Sequence, residues 1–212
     1  MQARMRFAVM LSAAILLAEV VGGLLANSLA LLSDAGHVFT DVLALSLSWF
    51  AVRQAERPAT ARMTFGYHRL GILVAVVNAL SLVGISGAIL YEAYRRWYAP
   101  EEVHGGLMMG VAVVGLAANL VVVSRLRGHA GENLNVRSAW WHALSDALAS
   151  VGVIIGGVII LLTGYQRVDT IASVVISVII MAGSWRLLRE AVAVLLEASP
   201  KHLDTQRVMD VI

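Results

Sequence analysis

The sequence predicts an all-α membrane protein of six transmembrane helices with both termini cytoplasmic. Three observations carry this expectation. Of 212 residues, 59% are hydrophobic and 14% charged, with a mean hydropathy of +0.78, a composition of membrane proteins rather than soluble domains. The apolar residues gather in runs of roughly 20, enough to cross a hydrocarbon core about 30 Å thick. Arginines crowd alternate connections and are sparse in the others.

The first run, Phe7–Ala26, follows Arg4 and Arg6 as a signal peptide would. It is too long for one, carries Glu19 and precedes five more runs, so it reads as a retained helix. The second, Ala30–Val52, carries Asp34, His37 and Asp41. The third is Leu70–Tyr94 and the fourth Gly105–Ser124. The fifth, Ser138–Thr163, carries His142 and Asp146, and the sixth is Val168–Leu188. Arg4, Arg6, Arg53, Arg57, Arg62, Arg69, Arg125, Arg127, Arg137, Arg186 and Arg189 fall on one side, and Arg95, Arg96 and Arg167 on the other. The richer side is cytoplasmic by the positive-inside bias. Trp97, Tyr98 and Tyr165 then mark the outer interface, and Trp140 and Trp141 the inner one. Gly106 with Gly110, and Gly152 with Gly156, have the four-residue spacing that lets membrane helices approach. Residues 1–196 are expected to form the transport domain. Residues 197–212, with Pro200 after an amphipathic stretch, are expected to open a cytoplasmic segment whose remainder is absent from this chain.

A net charge of +2 with a pI near 9.3 reflects arginines at the membrane faces and does not imply nucleic acid. The chain has no Cys, which removes disulfides, thiolate metal sites and Cys nucleophiles.

The chemistry concentrates in two H-x-x-x-D pairs, His37/Asp41 and His142/Asp146. Four residues is about one helical turn, so each pair shares a helix face. Asp41 lies roughly 16 Å from the outer end of the second run and Asp146 roughly 12 Å from the inner end of the fifth. Counted from opposite faces, both reach mid-membrane, where antiparallel helices can bring them together. Ionisable groups there need a partner or a function. Two imidazoles and two carboxylates make a tetrahedral ligand set for a divalent ion, and the two carboxylates neutralise it. Protons can enter as metal leaves, because both ligand types bind protons. The competing reading is that each His simply pairs with its own Asp. An intramembrane metalloenzyme would need an open coordination position and a free base, and there is no H-E-x-x-H. A passive channel would use several weak sites rather than one tight cage.

Asn27-Ser28-Leu29-Ala30-Leu31-Leu32-Ser33-Asp34-Ala35-Gly36-His37 with Asp41, then Phe65-Gly66-Tyr67-His68-Arg69-Leu70, then His142 with Asp146, resemble the motifs of the cation diffusion facilitators. The resemblance covers nearly the whole chain. It implies a six-helix exporter of divalent metal, usually a homodimer, exchanging cytosolic metal for protons, with His37, Asp41, His142 and Asp146 as the transport site. The His-Asp/His-Asp form resembles the zinc-preferring bacterial branch. It implies Zn²⁺, with Cd²⁺ second, as transported substrate rather than cofactor, and a multi-pass protein of the bacterial inner membrane that is not an enzyme. Co²⁺, Fe²⁺ or Mn²⁺ transport on the same fold is the alternative. Two departures stand out. The connection 125–137 holds only His129 where zinc-type members often have a His-rich loop, and the usual soluble C-terminal domain is not in this chain.

Glu19 and Asp34 are candidates for an exit path or proton route, or for a buried polar contact within the first hairpin. His68 is a candidate auxiliary metal ligand or a plain interfacial His. Asn78 and Asn119 are expected to hydrogen-bond between helices, and Glu92, Arg95 and Arg96 to be interfacial charges.

Overall fold

A computed structural model describes residues 2–55, 70–127 and 134–198. His68 with its Phe65–Leu70 motif up to Arg69, His129, and the segment from residue 199 onward lie outside the described residues. Six helices follow one another: α1 (Gln2–Ala26), α2 (Leu29–Ala55), α3 (Leu70–Tyr98), α4 (Gly105–Arg127), α5 (Leu134–Thr163) and α6 (Arg167–Leu195). Among the described residues there is no strand. Each helix contains the run expected of it and most extend further. Hydropathy sees only the lipid-immersed stretch, whereas backbone hydrogen bonding continues through polar interfacial residues such as Arg53 and Arg95. α3 to α6 are each long and apolar enough to cross a membrane, and Met10–Ala26 adds a shorter apolar stretch in α1. α2 dilutes its apolar run with Ser33, Asp34, His37, Thr40 and Asp41.

The turns at Asn27–Ser28, Ala99–His104 and Gly164–Gln166 lie at one end of the bundle, the hairpin end. α4 packs along α5, and α3 along α6. α2 rests on α1, α3 and α6 and meets α5 only briefly. Small and polar residues take an unusual share of the interior beside one apolar cluster, while many large apolar side chains face outward. α6 shows why: its inward stripe is Asp169, Thr170, Ser173, Ser177 and Ser184, all buried, while Ile171, Val175, Val178 and Ile179 face outward. Lipid removes the incentive to bury large apolar groups, so small residues that permit close packing take the interface.

Glycine placement differs in register from the expectation. Gly110 and Gly152 face open space, and an added Cβ at Gly106 or Gly156 would meet only ordinary contacts. The close approach lies one residue away, where a Cβ on Gly105 would stand 3.0 Å from the Gly157 carbonyl and one on Gly157 3.1 Å from the Gly105 carbonyl. A four-residue spacing selects a helix face but not which of two adjacent glycines points at the neighbour.

The hairpin end is held by a polar staple. Asn27 adopts φ 53°, and its carbonyl and Oδ1 accept hydrogen bonds from the Arg96 guanidinium at 2.7 and 2.8 Å. Arg96 also pairs with Glu92 at 3.4 Å and Glu101 at 3.1 Å and is 8% exposed, so it is an interior group rather than the interfacial charge expected. Its partner Asn27 is 69 residues away, a proximity that local pattern cannot show. The expected interhelical bond of Asn78 is unmet at its Oδ1, which is buried without a partner among the described residues. Asn78 also borders a cleft of about 440 Å³ between α2, α3 and α6, which Glu190 lines as well.

Candidate metal centre

α2 and α5 run antiparallel, and one turn of each presents a His and an Asp to the other. Asp41 Oδ2 lies 3.0 Å from His142 Nε2 and 3.7 Å from His37 Nε2. Asp146 lies 3.6 Å from His142 Nε2 and 3.8 Å from His37 Nε2. The imidazole centroids are 5.7 Å apart with planes at 61°. Both histidines therefore use Nε2, and each carboxylate faces both rings. The donor atoms of His37, His142 and Asp146 lie within 4.8 Å of one another, and Asp41 stands beside this trio, against both imidazoles. In a tetrahedron with metal–ligand bonds of 2.0–2.1 Å, neighbouring ligand atoms stand about 3.4 Å apart. The four His–Asp distances straddle that value. Cross-helix pairs appear beside the within-helix ones, so the reading in which each His serves only its own Asp does not describe the arrangement.

The group is open on one side. The four side chains are 28%, 30%, 49% and 15% exposed for His37, Asp41, His142 and Asp146. Toward the hairpin end the packing closes: Ala26, Ala30, Leu31, Val103, Met108, Ala112, Val153 and Ile160 form one buried cluster. Both ligand-bearing turns are braced by hydroxyls that donate to their own helix, Thr40 to the His37 carbonyl at 2.7 Å and Ser150 to the Asp146 carbonyl at 3.1 Å. His37 Nδ1 is buried without a partner among the described residues.

Glu19 and Asp34 are both buried, at 3% and 5% exposure. Glu19 stands within electrostatic reach of Asp34 and Asp146. Glu19 Oε2 has no partner among the described residues, so a hydrogen bond of that oxygen to α2 is not what holds the first hairpin.

Sequence reasoning missed Asp169. Its carboxylate accepts from Ser28 Oγ at 2.5 Å, Leu29 N at 2.7 Å and Ala30 N at 3.2 Å, while Ser28 Oγ accepts from Leu31 N at 3.2 Å. Orphan N–H groups that open a helix require such acceptors, and here the first turn of α6 supplies one to α2. The ligand-bearing helix is thus anchored from outside itself, with Ser33 and Ser177 hydroxyls adding a 3.0 Å bond deeper in. The signal available was Ser28 at an N-cap position and an acidic residue opening an apolar helix, but nothing in the sequence joins the two.

A profile described as the cation efflux transmembrane domain matches residues 5–196. The chain is 46% identical over 202 residues to the zinc transporter ZitB of Escherichia coli, covering 95% of this chain and 64% of that protein. It is 43% identical over 204 residues to the metal cation efflux system protein CzcD of Cupriavidus metallidurans, covering 96% and 65%. It is 37% identical over 196 residues to the cadmium, cobalt and zinc/H(+)-K(+) antiporter of Bacillus velezensis, covering 92% and 63%. The chain thus spans just under two thirds of the length of these relatives.

Proposed function

The chain belongs to the cation efflux family, and from that premise we propose that it exports Zn²⁺, with Cd²⁺ as second substrate, in exchange for protons. His37, Asp41, His142 and Asp146 are the ligands, and residues 1–196 are the unit that carries the ion. The observation that carries this reading is the set of cross-helix distances, 3.0 Å from Asp41 to His142 and 3.8 Å from His37 to Asp146. Three of the donors already lie within 4.8 Å of one another, and Asp41 stands beside both histidines, which supports a common site. The relatives named for zinc, and for cadmium, cobalt and zinc, support the choice of metal.

The chemistry follows from charge. Two carboxylates and two neutral imidazoles make a cage that Zn²⁺ renders neutral, which matters where an unbalanced charge is expensive. The metal binds the deprotonated ligands, so protons compete with it at every donor. An ion entering from the cytoplasm displaces protons, and protons arriving from outside displace the ion. The closed hairpin end and exposed ligands suit the cytoplasm-facing half of that cycle, with the hairpin end outermost. Switching the open side around a stationary site completes transport. In this scheme the metal is cargo and not a resident cofactor. The protein works as a homodimer in the inner membrane of a bacterium.

The test is zinc-driven proton flux in proteoliposomes for wild type, Asp41→Ala and Asp146→Ala. Both variants are expected to lose zinc transport; undiminished flux in both would reject the ligand assignment.

A further inference from the structure

One turn toward the hairpin end from the four proposed ligands lies a second buried polar group. Asp34 precedes His37 by three residues on α2, and Ser150 follows Asp146 by four on α5. Because the helices are antiparallel, both offsets point toward the hairpin end. Glu19 enters from α1, and α4 passes with a glycine. A Cβ on Gly115 would stand 3.3 Å from Glu19 Oε1 and 3.7 Å from Ser150 Oγ, so a carboxylate and a hydroxyl frame the same bare stretch of helix. Glu19, Asp34 and Ser150 are 3%, 5% and 1% exposed. Glu19 feels the charges of Asp34 and Asp146, and Asp34 that of Asp146. Beyond this group comes the apolar layer of Leu31, Met108 and Val153.

A carboxylate oxygen with no donor deep inside a bundle is costly, and Glu19 Oε2 is such an oxygen among the described residues. Residues 7–52 contain no Lys or Arg, so α1 and α2 supply no local cation through their apolar stretches. Either a proton or a mobile metal ion would satisfy the group, and the neighbouring site is where a metal ion would come from.

We propose that Glu19 and Asp34 form a second, all-oxygen station that receives the divalent ion from His37, Asp41, His142 and Asp146 on its way toward the hairpin end. This rests on the reading of those four residues as the transport site. Two carboxylates balance the charge of the ion. Oxygen donors hold Zn²⁺ less firmly than a set containing imidazole, and a site on an exit path must release what it binds. Asp146, facing both histidines and within electrostatic reach of both acids, links the two positions.

The experiment uses the full chain, with Zn²⁺ alone as probe, in two measurements. One is equilibrium zinc binding by chelator competition in detergent. The other is zinc efflux from proteoliposomes at several pH gradients. In Glu19→Gln and Asp34→Asn, zinc affinity is expected to stay within about threefold of wild type while efflux falls about tenfold or more, a tenfold change corresponding to about 1.4 kcal/mol. Glu19→Asp should recover part of the rate. Gly115→Ala, which crowds Glu19 Oε1 and Ser150 Oγ without changing any charge, should also slow efflux and guards against misfolding of the charge variants. Normal efflux in Glu19→Gln and Gly115→Ala overturns the proposal. So does parallel loss of affinity and efflux, which would make the acids supports of the first site. So does an unchanged rate with an altered proton dependence, which would assign them to protons. If Asp41→Ala and Asp146→Ala abolish efflux while Glu19→Gln does not, only the second station fails; if those two variants still transport, the first site fails as well.

Discussion

Asp41 is the residue on which the four-donor group closes, since one of its oxygens faces both imidazoles, at 3.0 and 3.7 Å. Replacing it by Asn keeps the shape and removes one negative charge. A cage of net charge +1 then replaces a neutral one around Zn²⁺, so Asp41→Asn is expected to weaken zinc binding about 100-fold, or about 2.7 kcal/mol. Acid should weaken binding in wild type, by about tenfold per pH unit for each proton that the metal must displace. Competition titrations between pH 8 and pH 6 check both statements. This part of the site was legible in the sequence. A helix converts four-residue spacing into a shared face, and a His-Asp pair inside an apolar run stands out against its surroundings. That the two pairs can meet followed from their matched depth on antiparallel helices; the individual distances were not legible, because they depend on how α2 and α5 are rotated about their axes.

At the level of the helix, α2 begins where α6 allows it to. Asp169 supplies the acceptors for Ser28, Leu29 and Ala30 and is 1% exposed. Asp169→Ala would leave buried amide groups of α2 without acceptors, at about 1–3 kcal/mol for each group so exposed to loss. The expected result is a lower thermal unfolding temperature in detergent and weaker zinc binding, since His37 lies two turns along the same helix. Asp169→Asn, which keeps one carbonyl acceptor, should fall between wild type and Asp169→Ala; an unchanged unfolding temperature in Asp169→Ala would count against the anchor. Helix number and order could be read from hydropathy because lipid thickness imposes a common length. Extensions such as Leu134–Arg137 at the start of α5 could not, because Asn135 and Arg137 break the apolar run without breaking the helix. Arg96 was misjudged for a related reason: a charge near the end of a span reads as interfacial until its distant partner, Asn27, is known.

For the molecule as a whole, the packing divides unevenly. α5 lies along α4 over much of its length, while α2 belongs with α1, α3 and α6. A ligand that binds only the folded, assembled arrangement stabilises it by about 2.7 kcal/mol at a concentration 100 times its dissociation constant. Zinc should therefore raise the unfolding temperature of wild type and slow amide exchange in α2 and α5 around residues 37–41 and 142–146. Neither effect is expected in Asp146→Ala; equal protection there would mean that the metal acts elsewhere. The polarity of the interior belongs to this scale too. Serines on α6 were visible in the sequence, but a serine stripe declares its direction only when the neighbouring helices are in place.

The scant packing of α2 against α5 carries a consequence for energy conservation. Where two walls of a carrier share little surface, the passenger itself serves as the rivet between them. In the proposed cycle the ion would tie the two walls together when aboard, since little else joins α2 to α5 directly. A carrier working as proposed would resist turning over empty, so that the proton gradient would be spent on freight and not on idle cycling.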